Sequence, residues 1–207
     1  MNSIDARRSR RILLCATGAF ECYALPGFIL ALLRHCADDV QVVLSRAAAE
    51  LTSKSVVEVA SRNPVFVDTG ERHDGIYVPH IELSRRAGLV LVYPASVSIL
   101  GKVANGIADE LISALILAAE VPVIFVPFTN EAMWRHPAVQ RNVRLLEQDG
   151  YSVMPNPEAI EVATRQGLAA SAMPFPLPTL QVRIAAALAG AGRGTVDRSV
   201  DAGGTDK

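Results

Sequence analysis

The chain has 207 residues, of which half are hydrophobic and 20% are charged. This composition excludes an intrinsically disordered chain, which would be rich in charge and poor in apolar residues, and the length predicts one globular domain. Twenty basic residues against 21 acidic ones give a net charge of −1. The chain therefore has no overall basic field for binding nucleic acid.

The apolar content does not predict a membrane span or a secreted protein. The charge-free run from Ala87 to Gly101 is interrupted by Pro94 and Ser96 and is shorter than the roughly 20 residues of a spanning helix. Residues 1–10 are rich in arginine, lack a signal-peptide pattern and are expected to be a basic flank. An odd number of cysteines without a secretory signal predicts a cytoplasmic protein.

The histidines and cysteines show none of the spacings that are typical of metal ligands, so no metal site is expected. The aliphatic excess in a non-membrane chain predicts an apolar surface that a second subunit covers. We therefore expect a homo-oligomer.

Short apolar runs alternate with helical stretches, and the runs have the pattern of parallel strands covered on both faces. The predicted strands are Arg11–Ala16, Val40–Ser45, Leu89–Pro94, Val121–Pro127 and Tyr151–Met154. The predicted helices are Glu21–Arg34, Ala47–Ala60, Ile99–Ala119 and Pro137–Asp149. This alternation predicts one doubly wound α/β domain over residues 11–189, a three-layer Rossmann-like (flavodoxin-like) fold with a central parallel sheet.

Two segments lie outside this alternation. Residues 155–178 contain five prolines and are expected to form a long loop, or flap. A short helix is predicted over Leu180–Leu188. The glycine-rich residues 190–207 are expected to be a disordered tail.

Ligands of open α/β sheets collect outside the carboxyl ends of the strands. Thr17, Gly18 and Ala19 follow the first predicted strand, and Ser45 and Arg46 follow the second. Each group leads into a helix, whose N-terminal N–H groups favour phosphate. A tight turn at the first strand and a plain N-cap at Ser45 are the structural alternatives.

Two further strand ends carry small or polar residues. The segment Pro94–Leu111 contains an Asn105-Gly106 pair, although glycine costs about 1 kcal/mol relative to alanine inside a helix. A close contact with a ligand or another subunit would explain this pair. The segment Pro127–Trp134 places an amide, a thioether and the only tryptophan on one loop.

Three stretches, in this order, resemble the flavin-containing cysteine decarboxylases: ILLCATGA, PASVSILGKVANGIADEL and PFTNEAMW. This homo-oligomeric family includes phosphopantothenoylcysteine decarboxylase and the lanthipeptide (peptidyl-cysteine) decarboxylases. The second stretch matches most of the family block PASANTxxKxANGxxDNLL, and the third retains Pro127, Asn130, Met133 and Trp134 of PxMNxxMW. The resemblance covers about residues 11–178. It implies a flavin nucleotide, FMN by family default with FAD as the alternative, and a trimer or dodecamer.

The resemblance also implies the site residues. His80 takes the position of the catalytic histidine, and Asn130 completes the catalytic pair. The residues expected to bind the flavin are Thr17, Gly18, Ala19, Ser45, Arg46, Pro94, Ala95, Ser96, Ser98 and Met133. The residues expected to bind the substrate are Asn130, Trp134, Met173 and Pro174.

The chain departs from the family blocks at four positions. Ser98, Ile99 and Gly101 replace an asparagine, a threonine and a second asparagine, and Thr129 replaces the methionine of PxMN. These changes leave the fold and flavin as expectations, but they alter the groups available for hydrogen bonds around the ring and the substrate.

The cysteines separate the branches of the family. Phosphopantothenoylcysteine decarboxylases resemble one another in a flap cysteine that reduces the product, whereas the flap of this chain contains no cysteine. Ala172-Met173-Pro174 is similar to the clamp of the lanthipeptide branch. The implied reaction oxidises the C-terminal cysteine of a precursor peptide to a thioaldehyde by hydride transfer to the flavin, so that CO₂ can leave and an enethiol remains.

In that reaction His80 is the expected base, and Asn130 is expected to hold the carboxylate or thiol. Three alternatives remain: a phosphopantothenoylcysteine decarboxylase of coenzyme A biosynthesis, a flavin prenyltransferase, which should lack the PxMNxxMW block, and a non-catalytic flavin-binding regulatory subunit.

Overall fold

The computed structural model describes residues 10–68, 76–156 and 177–191. Within them the strands are β1 (Arg11–Ala16), β2 (Asp39–Leu44), β3 (Phe66–Val67), β4 (Leu89–Ala95), β5 (Val123–Pro127) and β6 (Ser152–Val153). A 3₁₀ helix spans Phe20–Ala24. The α-helices are α1 (Leu25–His35), α2 (Arg46–Leu51), α3 (Lys54–Ser61), α4 (Pro79–Arg86), α5 (Val97–Ala104), α6 (Leu111–Leu117), α7 (Glu131–Arg135), α8 (Pro137–Gln148) and α9 (Leu177–Ala191).

The strands form one parallel sheet in the order β3-β2-β1-β4-β5-β6. This is the Rossmann order, which differs from the flavodoxin order 2-1-3-4-5. The predicted Rossmann-like α/β fold is therefore confirmed. Strand order reverses between β1 and β4, so the crevice in which such folds bind ligands lies above the carboxyl ends of these two strands.

Side chains alternate between two cores, one on each face of the sheet, which explains why the strands are apolar throughout. Leu89, Leu91 and Tyr93 of β4 face a core that also contains residues of α1, α2, α3 and α9. Val90 and Val92 face the opposite core, to which α4, α5, α6 and α8 contribute. This double coverage holds the carboxyl edge of the central strands in place.

The predicted helix over Ile99–Ala119 is wrong, because it is two helices. Gly106 has φ +68°, and the N–H groups of Gly106 and Ile107 donate to Val103 and Lys102, which is the Schellman ending of a helix. The Lys102 ammonium bridges Asp109 (2.9 Å) and Glu110 (3.2 Å) across the turn. The Asn105-Gly106 pair is thus explained by a helix end without a ligand.

Other boundaries also differ. The predicted helix Glu21–Arg34 is a 3₁₀ helix followed by α1, because Pro26 lacks an N–H and fits only a first helical turn. The predicted helix over Ala47–Ala60 breaks at Thr52, whose backbone is extended. Strand β3 and helix α4 were not predicted. The helix start at Pro137 and its stop before Gly150 (φ +85°) are confirmed.

At the chain ends, α9 is longer than the predicted Leu180–Leu188 and includes residues 190 and 191, which were expected to belong to the tail. The basic flank up to residue 9, most of the flap (157–176) and residues 192–207 lie outside the described residues. In the part of the chain that is described, every helix is too short or too polar to cross a membrane. These same residues contain no cluster of three or more potential metal ligands.

One acidic side chain lies in the core beneath the carboxyl edge. Glu21 of the 3₁₀ helix is only 6% exposed. Burial raises the pKa of its carboxyl, and its own backbone N–H opposes this shift. Glu21 also raises the pKa of the buried Tyr93 phenol, where burial is the larger cause. The raised pKa means that the carboxyl is harder to ionise in the fold than in the unfolded chain.

Replacing Glu21 by Gln is expected to remove a pH-dependent loss of stability. With its pKa raised, the folded chain keeps the Glu21 proton over a pH range where the unfolded chain has lost it. The free energy of unfolding should therefore fall as pH rises from the ordinary glutamate pKa to the raised value, by about 1.4 kcal/mol for each unit of pKa difference. Denaturant unfolding as a function of pH measures this slope.

The matched control is Glu50→Gln, which changes an exposed glutamate of α2 and should keep the wild-type slope. Equal slopes for wild type and Glu21→Gln would show that Glu21 ionises as easily in the fold as in the unfolded chain.

Candidate functional site

Thr17 connects the two strands on either side of the point where strand order reverses. Its buried hydroxyl donates to the carbonyl of Pro94 (2.8 Å) and accepts from the N–H of Ser96 (2.7 Å). The Thr17 N–H also donates to the Pro94 carbonyl (3.1 Å). These bonds tie the turn after β1 to the turn after β4, so the Thr17 side chain is occupied by a structural role.

Gly18 brings the turns after β1 and β2 into contact. The Gly18 residue is exposed, and a Cβ built on it would lie 2.6 Å from the Cβ of Ala47 in α2. Any larger residue at position 18 would force the two turns apart. A glycine is required here by the close approach of α2.

The second predicted turn has structural partners as well. The Ser45 side chain accepts from the N–H of Ala48 (3.1 Å) and is therefore the N-cap of α2. The exposed Arg46 donates through Nε to the carbonyl of Asp68, just after β3. The structural alternative for Ser45, a plain N-cap, is therefore confirmed. Arg46 holds the chain that leaves β3 at the same edge of the sheet.

The end of β4 and the turn that follows it contain several small residues. The Tyr93–Pro94 peptide bond is cis, and both Pro94 and Ala95 are buried. Ser96 accepts from Ile99 (3.5 Å) as the N-cap of α5, while Ser98 lies exposed on the first turn of that helix. Ser98 is therefore the serine of this block that has an accessible side chain.

The loop after β5 is pinned by a residue that sequence reasoning missed. Asn156 accepts from the Thr129 N–H (3.1 Å) and donates to the Thr129 carbonyl (3.0 Å). An asparagine in the Pro155-Asn156-Pro157 stretch was the available signal, since a side-chain amide can replace a strand partner in pairing with backbone. Through this pair the loop after β6 supports the next residue, Asn130.

Asn130 is the exposed N-cap of α7. Its Oδ1 accepts from the N–H of Met133 (2.8 Å), so the group it can still offer a ligand is the Nδ2 amide, a hydrogen-bond donor. Met133 is 46% exposed. Trp134 is half-buried against the core that α5 and α8 cover, and its carbonyl accepts from Gln140 (2.7 Å). Trp134 thus anchors the loop.

His80 lies in the first turn of α4, the helix that leads into β4. A helix that precedes a parallel strand runs antiparallel to it, so its first turn lies toward the carboxyl edge of the sheet. His80 is half-buried there. The structure therefore places His80, Thr17, Ser96 and Asn130 at one edge. Met173 and Pro174 lie outside the described residues.

This edge fits a flavin nucleotide. The Gly18 N–H donates to no group of the described residues, and Gly18 is an exposed residue, so this N–H is a candidate donor to an anion. Asn130 adds a hydrogen-bond donor at the same edge. These groups lie around the switch point, where Rossmann folds bind nucleotides.

Comparison with known proteins identifies the family. Residues 2–175 match the family model described as "Flavoprotein". The chain belongs to the flavoprotein family. The flavin cofactor predicted from the sequence is confirmed at this level.

Two curated relatives are named for coenzyme A biosynthesis and for the decarboxylation of phosphopantothenoylcysteine, respectively. The bifunctional protein CoaBC of Bacillus subtilis is 36% identical over 143 residues, 69% of this chain but 35% of its own length. A probable phosphopantothenoylcysteine decarboxylase of Streptococcus mutans is 32% identical over 145 residues, 69% of this chain and 80% of the relative. The chain therefore spans about a third of the bifunctional relative.

Solved structures add a second group. The FMN-dependent cysteine decarboxylase SpaF superposes with a TM-score of 0.75 at 30% identity, covering 89% of this chain and 98% of SpaF. The peptidyl-cysteine decarboxylase EpiD superposes with a TM-score of 0.63 at 26% identity, covering 70% and 85%. Together the comparisons confirm the suspected family, and the relatives and solved structures are named for decarboxylation of two different substrates.

The variant Gly18→Ala is expected to lower both stability and flavin content. The added Cβ would overlap Ala47, and overpacking of this kind costs about 1–3 kcal/mol. Ala47→Gly removes the opposing Cβ, so the double variant Gly18→Ala/Ala47→Gly should recover much of the loss. A double-mutant cycle in thermal stability and bound-flavin absorbance measures the coupling. Additive effects would show that the two turns do not press on each other.

Proposed function

We propose that this chain is an FMN-dependent enzyme that oxidatively decarboxylates the C-terminal cysteine of a ribosomally made precursor peptide. The product is an enethiol for aminovinyl-cysteine formation in lanthipeptide biosynthesis. The choice of substrate rests on where the cysteines lie. A reactive thiol at the site could reduce the oxidised product, whereas a chain without one would release the enethiol.

All three cysteines are free and buried. Burial raises the pKa of each thiol, to about 11 for Cys22. The Cys22 S–H also donates a hydrogen bond to the Thr17 carbonyl (3.2 Å). A thiol reacts as its thiolate, so a buried cysteine with a raised pKa is inert. The flap sequence contains no cysteine either. Without a reactive thiol at the site, the oxidised product should be released unreduced.

The phosphopantothenoylcysteine decarboxylases supply the second candidate, since one relative above 30% identity is named a probable enzyme of that kind and another is named for coenzyme A biosynthesis. That substrate also ends in a cysteine-derived carboxylate. The similarity to SpaF and EpiD, whose names specify cysteine and peptidyl-cysteine, supports the peptide. The two substrates therefore belong in the same experiment.

Each site residue has a distinct task in the proposed reaction. The exposed Gly18 N–H and the first turn of α2 would hold the phosphate of the flavin, and Ser98 and Met133 would contact its ring. When bound, the flavin supplies the two-electron oxidation of the substrate cysteine that makes loss of CO₂ possible. His80 would take the proton of the substrate thiol as a general base. The Asn130 Nδ2 amide would donate to the substrate carboxylate.

The proposed function also includes self-association into a trimer or dodecamer. Phe20 and Tyr23 of the 3₁₀ helix form an aromatic pair with ring centroids 5.0 Å apart, and each is 47% exposed. The pair lies next to the turn of Gly18. An exposed aromatic pair at this edge is suited to a subunit contact that borders the flavin.

Incubation of the flavin-loaded protein with a peptide that ends in cysteine should give a product lighter by one CO₂ and two hydrogens. Mass spectrometry measures this loss, and phosphopantothenoylcysteine serves as the second substrate. His80→Asn should retain the flavin absorbance but lower kcat by about 10²–10⁴, the contribution typical of a general base.

His35→Asn is the matched control, because His35 is exposed at the end of α1, and it should behave as wild type. Faster turnover of phosphopantothenoylcysteine than of the peptide would favour the second candidate. Bound flavin with neither substrate changed would favour a non-catalytic regulatory subunit.

Asn130→Asp separates the two roles of Asn130. An aspartate keeps an oxygen for the Met133 N–H but removes the amide donor and brings a negative charge toward the substrate carboxylate. Since a hydrogen bond to a charged group contributes about 1.5–3 kcal/mol, KM should rise about ten- to a hundredfold while the melting temperature is kept. Asn130→Ala should lose stability as well. An unchanged KM in Asn130→Asp would remove Nδ2 from substrate binding.

A further inference from the structure

The backbone around His80 is closed into a ring by one carboxylate. Glu82 Oε1 accepts hydrogen bonds from the N–H groups of Tyr77 (2.8 Å) and Val78 (3.0 Å). In the opposite direction, the Glu82 N–H donates to the Val78 carbonyl (3.0 Å). His80 lies inside this ring, so its backbone is constrained by the bonds to Glu82, together with the bond from the Ile81 N–H to the Val78 carbonyl (3.1 Å).

Among the described residues, no other side chain performs this function at the start of α4. The N-cap residue is Val78, whose side chain has no polar atom, and the first helical residue is Pro79, which has no N–H. The Glu82 carboxylate instead reaches back to the N–H groups of the N-cap residue Val78 and of Tyr77 before it, as the acidic residue of a capping box does at the N-cap. The hydrogen bonds from the N–H groups of Val78 and Tyr77 also lower the pKa of the Glu82 carboxyl.

The second carboxylate oxygen is not needed for the ring. Oε2 lies 3.5 Å from Arg86 Nη2 one turn further along the exposed side of α4. An exposed pair of this kind contributes little, because water and salt screen it. The ring therefore depends on the reach of the Glu82 side chain, and the ion pair to Arg86 can be removed separately.

We propose that Glu82 is the positioning residue for His80: by bonding both backbone N–H groups before α4, it holds the imidazole at the carboxyl edge of the sheet. This inference rests on the proposed function, in which His80 is the base. Glu82 does not contact the reacting atoms in this proposal. Displacing a general base by about 1 Å is enough to lower a rate up to a hundredfold.

Four variants test the proposal. Glu82→Gln keeps an oxygen at the same reach and loses the charge, whereas Glu82→Asp keeps the charge but is one methylene too short to bond both N–H groups. Glu82→Ala loses both properties, and Arg86→Ala removes only the ion pair. We expect kcat on the cysteine peptide to fall about ten- to a hundredfold in Glu82→Ala and Glu82→Asp, with KM and flavin content near wild type. Glu82→Gln and Arg86→Ala should remain close to wild type.

The imidazole resonances of His80 provide a readout that does not depend on activity. They should shift or broaden in Glu82→Ala and Glu82→Asp and return to the wild-type position in Glu82→Gln. Should Glu82→Ala fail to fold, the comparison of Asp with Gln still decides. Wild-type resonances and kcat in Glu82→Asp, or a loss in Glu82→Gln equal to that in Glu82→Asp, would overturn the proposal.

The same measurements separate this inference from the proposed function. If the His80 resonances move as expected but His80→Asn retains full activity, the positioning by Glu82 stands and the catalytic role of His80 fails. If His80→Asn is inactive and the Glu82 variants leave both resonances and rate unchanged, the proposed function stands and the positioning role fails.

Discussion

The hydroxyl of Thr17 is the interaction on which the candidate site depends. Strand order reverses between β1 and β4, so the chain leaves these neighbouring strands in opposite directions and a crevice opens between their ends. Thr17 spans this crevice by donating to Pro94 and accepting from Ser96. These two short hydrogen bonds hold the turn after β1 against the end of β4, so the two sides of the switch point are joined.

The neighbouring loops are tied to this bridge by contacts of different kinds. On one side, the absence of a side chain at Gly18 lets α2 approach until only the Cβ of Ala47 fills the space. On the other side, the Phe128 N–H donates to Ala95 (3.0 Å), and Asn156 pairs with the backbone of Thr129. The ends of β1, β2, β4 and β5 thus form one connected edge. Hydrogen bonds to backbone groups and close packing hold the strand ends together at this edge. The exposed polar groups that take no part in these contacts are the ones available to a ligand.

The fold could be predicted from the sequence because a strand that helices cover on both faces is apolar at every position. Strand β1, for example, has the bounds Arg11–Ala16 that its apolar run predicts. The sequence was insufficient where a helix end depends on tertiary geometry. The stripe through Val103 and Leu111 has helical periodicity, yet Gly106 and the Lys102 bridge reverse the chain between them. Strand β3 has two residues, too few for any periodicity. For the candidate site, the motifs supply candidate residues, and the structure adds that Thr17 and Ser45 are occupied by structural bonds and that the Nδ2 amide of Asn130 is left for a ligand.

The blocks shared with the family therefore carry two kinds of residue. Lys102 and Asp109 close the turn between α5 and α6 by an ion pair in which Lys102 is three-quarters buried (24% exposed), so their spacing is explained by folding. Ser98, Met133 and Asn130 lie exposed at the edge and have no comparable structural explanation beyond the Asn130 cap. The family's asparagine is absent at position 98, and a serine hydroxyl is both shorter and able to donate as well as accept. A change at an exposed edge position, with the ion pair and the crevice retained, alters the groups that meet the ligand without altering the fold that holds them.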